Sequence, residues 1–173
     1  MVFFASYKIG KHMHRFSTLL CGALLHLSVN AADVVPAHLT GTWGTGASLH
    51  DGKDEQTELY LLPDGYGAIA GSTPPMPRKD GADDGKPAPR VIMGFPLHAR
   101  MDGDTLMLRP FLPKGVPGMK GEIIIPCHYE QAERTLSCTT PDKPKTFVMK
   151  RRDETIPADV EKMLAQVVQM EKQ

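Results

Sequence analysis

The stretch that decides the fold is Cys127–Cys138, CHYEQAERTLSC, in which two cysteines bracket a charged turn and a histidine follows the first of them. With the turn centred between Ala132 and Glu133, Cys127 falls opposite Cys138, His128 opposite Ser137, Tyr129 opposite Leu136 and Glu130 opposite Thr135. Because a strand sends alternate side chains to opposite faces, this register sorts the segment cleanly. Ile123, Ile125, Cys127 and Tyr129 share a face with Leu136 and Cys138, while Pro126, His128 and Glu130 share the other with Thr135, Ser137 and Thr139. One apolar and one polar face from a single register support that register. Directly opposed residues in an antiparallel pair are close enough to bridge, so a Cys127–Cys138 disulfide is expected. A zinc site needs four ligands, a redox pair usually takes the Cys-x-x-Cys spacing, and His128 beside Ser137 has no third residue to orient it as a catalytic base.

A disulfide implies an oxidising compartment, and the other end of the chain agrees. Basic residues from Lys8 to Arg15 precede the apolar run FSTLLCGALLHLSV (Phe16 to Val29), which leads into Val29-Asn30-Ala31 with small residues at the cleavage positions. Basic, apolar and small segments in that order form a secretory signal peptide, and the run is shorter than the ~18 residues a spanning helix needs. Residues 1–31 are therefore read as a leader, with Met13 an alternative start and cleavage after Ala31. Leu20 before Cys21 does not make a lipobox. Cleavage removes Cys21 and leaves the two hairpin cysteines, in a periplasmic or secreted protein with no integral membrane segment after signal removal.

Beyond the leader the composition excludes several classes. The chain has 20 basic and 20 acidic residues, and the leader holds three of the former and none of the latter, for a remaining charge of about −3, which is no footprint for nucleic acid. Roughly 140 residues make one domain with a sizeable core. No paired carboxylates, nucleophile elbow, phosphate loop or ligand cluster is legible, so neither enzyme activity, a cofactor nor a metal is expected. Asp80, Asp83 and Asp84 lack the alternating ligands and terminal glutamate of a calcium loop.

Strand signals recur along this domain, each bounded by turn residues: Leu39–Gly44, Thr57–Leu62, Tyr66–Gly71, Val91–Met101, Thr105–Arg109, the two cysteine strands and Lys145–Arg152. Eight short strands joined by hairpins predict an all-β, antiparallel up-and-down barrel. In the fourth strand Val91, Met93, Phe95, Leu97, Ala99 and Met101 share a face, and Pro96 on the other marks a bulge or an edge. From Pro157, the apolar residues Val160, Met163, Leu164, Val167 and Met170 recur at helical spacing. Their polar face is not strongly basic, so a helix over 156–173 packed on the barrel (32–155) is expected rather than one lying on a membrane.

Gly41-x-Trp43 in the first strand, the eight-stranded meander, the Lys150-Arg151-Arg152 cluster ending the last strand and the terminal helix resemble the calycin superfamily, particularly lipocalin-like barrels; TGTW also resembles the opening of avidin-like β-barrels. The resemblance implies a buried Trp43 near the closed end, covered by Arg151 or Arg152. The segment after Trp43, GTGAS, lacks the asparagine of a biotin loop, so the likeness concerns fold.

Two loops stand out. Gly71–Arg90 is rich in Pro, Gly and charge and is read as mobile. Pro110–Gly121 carries Phe111, Leu112, Val116 and Met119 on a proline-stiffened connector, where they either meet a partner or tuck into the barrel mouth. An eight-stranded barrel holds one small ligand or is filled by its own side chains. The leading functional expectation is a non-enzymatic exported lipocalin-like barrel binding a small, apolar molecule, with Met93, Phe95, Leu97 and Met101 lining its interior and the connector at its rim. The alternative is a module that binds a periplasmic protein, such as an inhibitor or an immunity-type protein.

Overall fold

The computed structural model describes residues 34–77, 88–111, 123–141 and 145–171. The leader, the Met13 start, residues 78–87 of the first long loop, and Leu112, Val116 and Met119 of the second lie outside them. Eight antiparallel strands form a closed barrel in which each pairs with its sequence neighbours and β8 returns to β1. They are β1 (Gly41–Gly44), β2 (Gln56–Leu61), β3 (Tyr66–Ser72), β4 (Ile92–Asp102), β5 (Thr105–Pro110), β6 (Ile125–Glu130), β7 (Thr135–Thr139) and β8 (Thr146–Asp153), followed by α1 (Ala158–Glu171).

Turn chemistry makes the meander. Gly103 has φ 59° at the first position of the two-residue connection between the paired Asp102 and Thr105, the position where a type II′ hairpin requires glycine. Gly65 has φ 85° after Asp64 and turns β2 into β3. The β6–β7 turn is different: its left-handed residue is Arg134, at φ 52°.

The cysteine hairpin has the register that alternation demands, with Cys127↔Cys138, His128↔Ser137, Tyr129↔Leu136 and Glu130↔Thr135. The disulfide is formed across a Cα–Cα distance of 4.0 Å. Both cysteines are fully buried among Leu106, Leu108, Leu136 and Met149, so the bridge is part of the barrel's filling as well as a tie between its strands. His128 points outward, its Nδ1 3.4 Å from Thr105 Oγ1.

Alternation decides the interior of the other strands too. Trp43, Leu59, Leu61, Leu97, Ala99, Leu106, Leu108 and Met149 join the hairpin residues in one buried cluster. Below it the chain before β1 folds in as a plug: Val35 and Leu39 are buried, and the backbone of Val35 bonds to Pro63 O at 3.0 Å. Pro96 produces no bulge, since the β3–β4 register runs unbroken through it. It marks an edge instead: pairing of β4 with β5 begins at Leu97↔Pro110, so Ile92–Phe95 have no partner on that side among the described residues.

The helix lies against β3. Ala68, Ala70, Gly94 and Pro96 on the outer wall are small or flat and form a seat that Tyr60, Val160 and Met163 border. Leu164 is fully buried, whereas Met163 and Met170 are 38% and 66% exposed, so one apolar stripe holds the helix and its margin faces outward.

Replacing both Cys127 and Cys138 by Ala removes a short-loop constraint and interior packing together and should lower unfolding stability by roughly 2 to 4 kcal/mol. Urea unfolding of the oxidised, reduced and double-alanine proteins measures it; reduced protein as stable as oxidised protein would show that the bridge contributes nothing.

Candidate functional site

Among the described residues the barrel is filled at one end and holds a cavity toward the other, and two glycines on the inward face of β3 mark the division. At Gly67 an added Cβ would meet Tyr60 O at 2.3 Å, with Leu61 and Leu97 methyls at 3.1 Å. Four residues along at Gly71 the nearest atom is Gln56 O, at 3.8 Å. Between those positions the interior turns from close-packed core into a cavity.

That cavity, about 460 Å3, occupies the mouth. Ile69, Met93, Phe95, Ile125 and Phe147 supply its apolar wall, and Thr57, Ser72, Thr73 and Thr140 its hydroxyl groups. The volume is within the range of small-molecule sites. On one side the wall extends beyond short β1, and Lys145 and Glu55 form an ion pair at the mouth. On another, Arg90 binds the rim: its Nη1 donates to Asp54 O at 2.8 Å and Thr73 O at 3.0 Å, and its Nη2 to Gly52 O. Thr73 and Met76 also bond through their backbone N–H groups to Val91 O and Pro89 O, so the described ends of the first long loop are tied to each other.

The four β4 residues expected to line the interior are divided by this boundary. Phe95 is half-buried in the cavity wall, and Met93 is at the rim, 60% exposed. Leu97 is fully buried in the packed half, and Met101 packs against the core; neither borders the mouth. Phe111 is half-buried where β5 ends, its N–H bonded to Pro96 O at 2.8 Å. Thr57, Ile69 and Phe147 were missed as wall residues, although inward alternation with Leu59, Gly67 and Met149 signals them.

The closed end is built on Trp43. Its indole is fully buried, its Nε1 donates to Leu39 O at 2.9 Å, and Tyr129 meets it edge-on at 6.0 Å. Arg151 lies over the ring, with Cζ 5.9 Å from the centroid, in reach of a cation–π attraction. It also clamps the plug, donating to Thr40 O at 2.8 Å and Ala37 O at 3.3 Å.

Arg152, the other candidate to cover Trp43, faces the outer wall. It crosses β1 at Gly44, where any Cβ would run into its guanidinium, and pairs with Glu58 and Gly46 O. The second oxygen of Glu58 accepts from the Tyr60 hydroxyl. Burial first, then that bond and the charge of Glu58, push the Tyr60 phenol well above its ordinary value. At the end of β8, the Thr155 backbone N–H and then its hydroxyl hold the Asp153 carboxyl below its usual range.

No protein-family model matches the chain, and no sequence among curated proteins matches it. Among solved structures it is similar to the crystal structure of a lipoprotein YedD from Klebsiella pneumoniae subsp. pneumoniae MGH 78578, at 14% identity over 79% of this chain and 89% of that one, with a TM-score of 0.43.

A raised phenol pKa favours the folded state fully below the unfolded value of 10.0; that contribution is lost as pH rises above it toward the folded value. Tyr60→Phe should therefore flatten the alkaline fall in melting temperature above about pH 10. Identical alkaline profiles for the two proteins would remove the Glu58–Tyr60 bond as a stabilising contact.

Proposed function

We propose that the protein is an exported, non-enzymatic barrel of lipocalin-like type that holds a small apolar molecule in its open mouth. The observation that carries the reading is the half-filled interior: an apolar cavity of about 460 Å3 stacked directly on a close-packed core. Phe95, Met93, Ile125 and Phe147 offer hydrocarbon, aromatic rings and one flexible thioether, which adapts to irregular shapes. Covering a large apolar side chain contributes about 1.5–3 kcal/mol, so a ligand that shields Met93 together with the half-buried Phe95 gains affinity from surface already built. The charged pair at the mouth, Lys145 and Glu55, is self-satisfied, and the remaining polar groups are mostly hydroxyls. Such a wall suits a neutral molecule with one or two hydrogen-bonding groups.

Export is part of the same proposal, supported by the formed disulfide and by the leader-like grammar of residues 1–31. No helix among the described residues is long and apolar enough to cross a membrane. The second reading, a protein-binding module, is favoured by one feature: the β4 edge at Ile92–Phe95, beside exposed Val91, Ile92 and Met93, could accept a strand from a partner.

Gly71→Phe separates these readings, because the open space beside Gly71 lets a ring enter the cavity without displacing backbone. The neutral fluorophore N-phenyl-1-naphthylamine should bind the purified protein saturably with one site, and Gly71→Phe should abolish that binding while the melting temperature moves by no more than about 3 °C. Undiminished binding by this variant would place the apolar site elsewhere and overturn the proposal.

A further inference from the structure

The barrel's opposite end carries a second recess, of different chemistry. Three segments enclose it: the plug turn with His38, the β6–β7 turn with Glu133 and Arg134, and the end of β8 with Lys150 and Arg151, followed by Glu154 just past the strand. Its volume is about 650 Å3, and Tyr129 forms part of its wall. Three permanent cations face two carboxylates there, a positive excess in a domain whose overall charge beyond the leader is negative.

Two features of those cations point to a ligand. Arg151 is already immobilised by Trp43 and by the Thr40 and Ala37 carbonyls, both of which take their hydrogen bond from its Nη2. Those contacts leave its Nη1 unused, so an oxyanion in the recess meets a guanidinium that is already held in place and needs little reorganisation. Arg134 holds the left-handed position of its turn, φ 52°, where glycine would be relaxed and a long side chain is strained. The arginine is therefore held at a backbone cost, and its side chain lines the recess. His38 and Tyr129, whose rings lie 5.0 Å apart, add flat surface next to the cations.

We infer that this closed-end recess binds a small organic anion, its carboxylate or phosphate oxygens held by Arg134, Arg151 and Lys150 and its body lying against Tyr129 and His38. Guanidinium groups match the planar and tetrahedral oxyanions through paired N–H donors. Glu133 and Glu154 at the margin oppose a high-charge ligand and favour one with a single anionic group. The site is independent of the apolar mouth and stands or falls without it.

Trp43 is the chain's single tryptophan and lies beneath Arg151, so its emission reports occupancy. The probes are inorganic phosphate and benzoate, each titrated into purified protein against sodium chloride at equal ionic strength. At least one should give a saturable change in Trp43 emission that chloride does not. Benzoate responding alone assigns a carboxylate ligand with an aromatic body, and phosphate alone a phosphate ester. Arg134→Gly should weaken that response at least tenfold while leaving the melting temperature equal or higher, because it relieves the left-handed residue. Glu154→Gln should strengthen it. The inference is overturned if neither anion exceeds chloride, if Arg134→Gly binds as tightly as the parent, or if Arg134→Gly loses thermal stability along with binding, which would make Arg134 a residue of the fold.

Discussion

The contact on which the closed end depends is the packing of Trp43 beneath Arg151. One indole, fully buried, joins three parts of the chain distant in sequence: its ring meets Tyr129 of β6 and Arg151 of β8, and its N–H meets the carbonyl of Leu39 in the plug. Arg151 completes the closure by reaching back to Thr40 and Ala37. A barrel needs a way to stop water entering at its base, and here the plug and the buried tryptophan supply it.

Closing one end decides what the other can do. Leucines from β2, β4 and β5, Met149 and the disulfide fill the half next to Trp43. The four-strand stretch from β2 to β5 contains two long hairpins, and β4 rises past the end of β5, so its upper residues wall a cavity without entering the packed half. Small residues on the outer surface of the same strands seat the helix, which braces that wall from behind. The outer ion pair of Arg152 with Glu58 spans β1 and links β8 to β2, giving the shortest strand a polar brace on its outside to match the arginine within.

Much of this was legible because period-two alternation is a strict constraint. Reading Cys127–Cys138 as two strands fixed every pair of that hairpin, and the glycines at 65 and 103 are where the chain turns. Alternation could also have separated the two arginines: Phe147, Met149 and Arg151 share the inward face, which sends Arg152 outward. Where the reading fell short, the missing information was a neighbour's length. Met93 through Met101 form one face in sequence, yet β4 has eleven residues and β5 six, so that face crosses from mouth to core. Arg90 escaped notice because its partners are backbone carbonyls, which no residue pattern encodes. Arg134 likewise gave no sign that its backbone would be left-handed. Leu112, Val116 and Met119 lie outside the described residues, and Phe111 alone shows where that connector starts.

The central claim is the division of one barrel into a sealed half and a receptive half, and quenching of two tryptophans tests it most directly. Trp43 in the parent protein should resist iodide and acrylamide whether or not N-phenyl-1-naphthylamine is bound. A tryptophan introduced by Phe95→Trp, read as the difference from the parent, should be quenched readily in the free protein and shielded when the fluorophore occupies the mouth. Ready quenching of Trp43, or a mouth tryptophan indifferent to the fluorophore, would contradict the account.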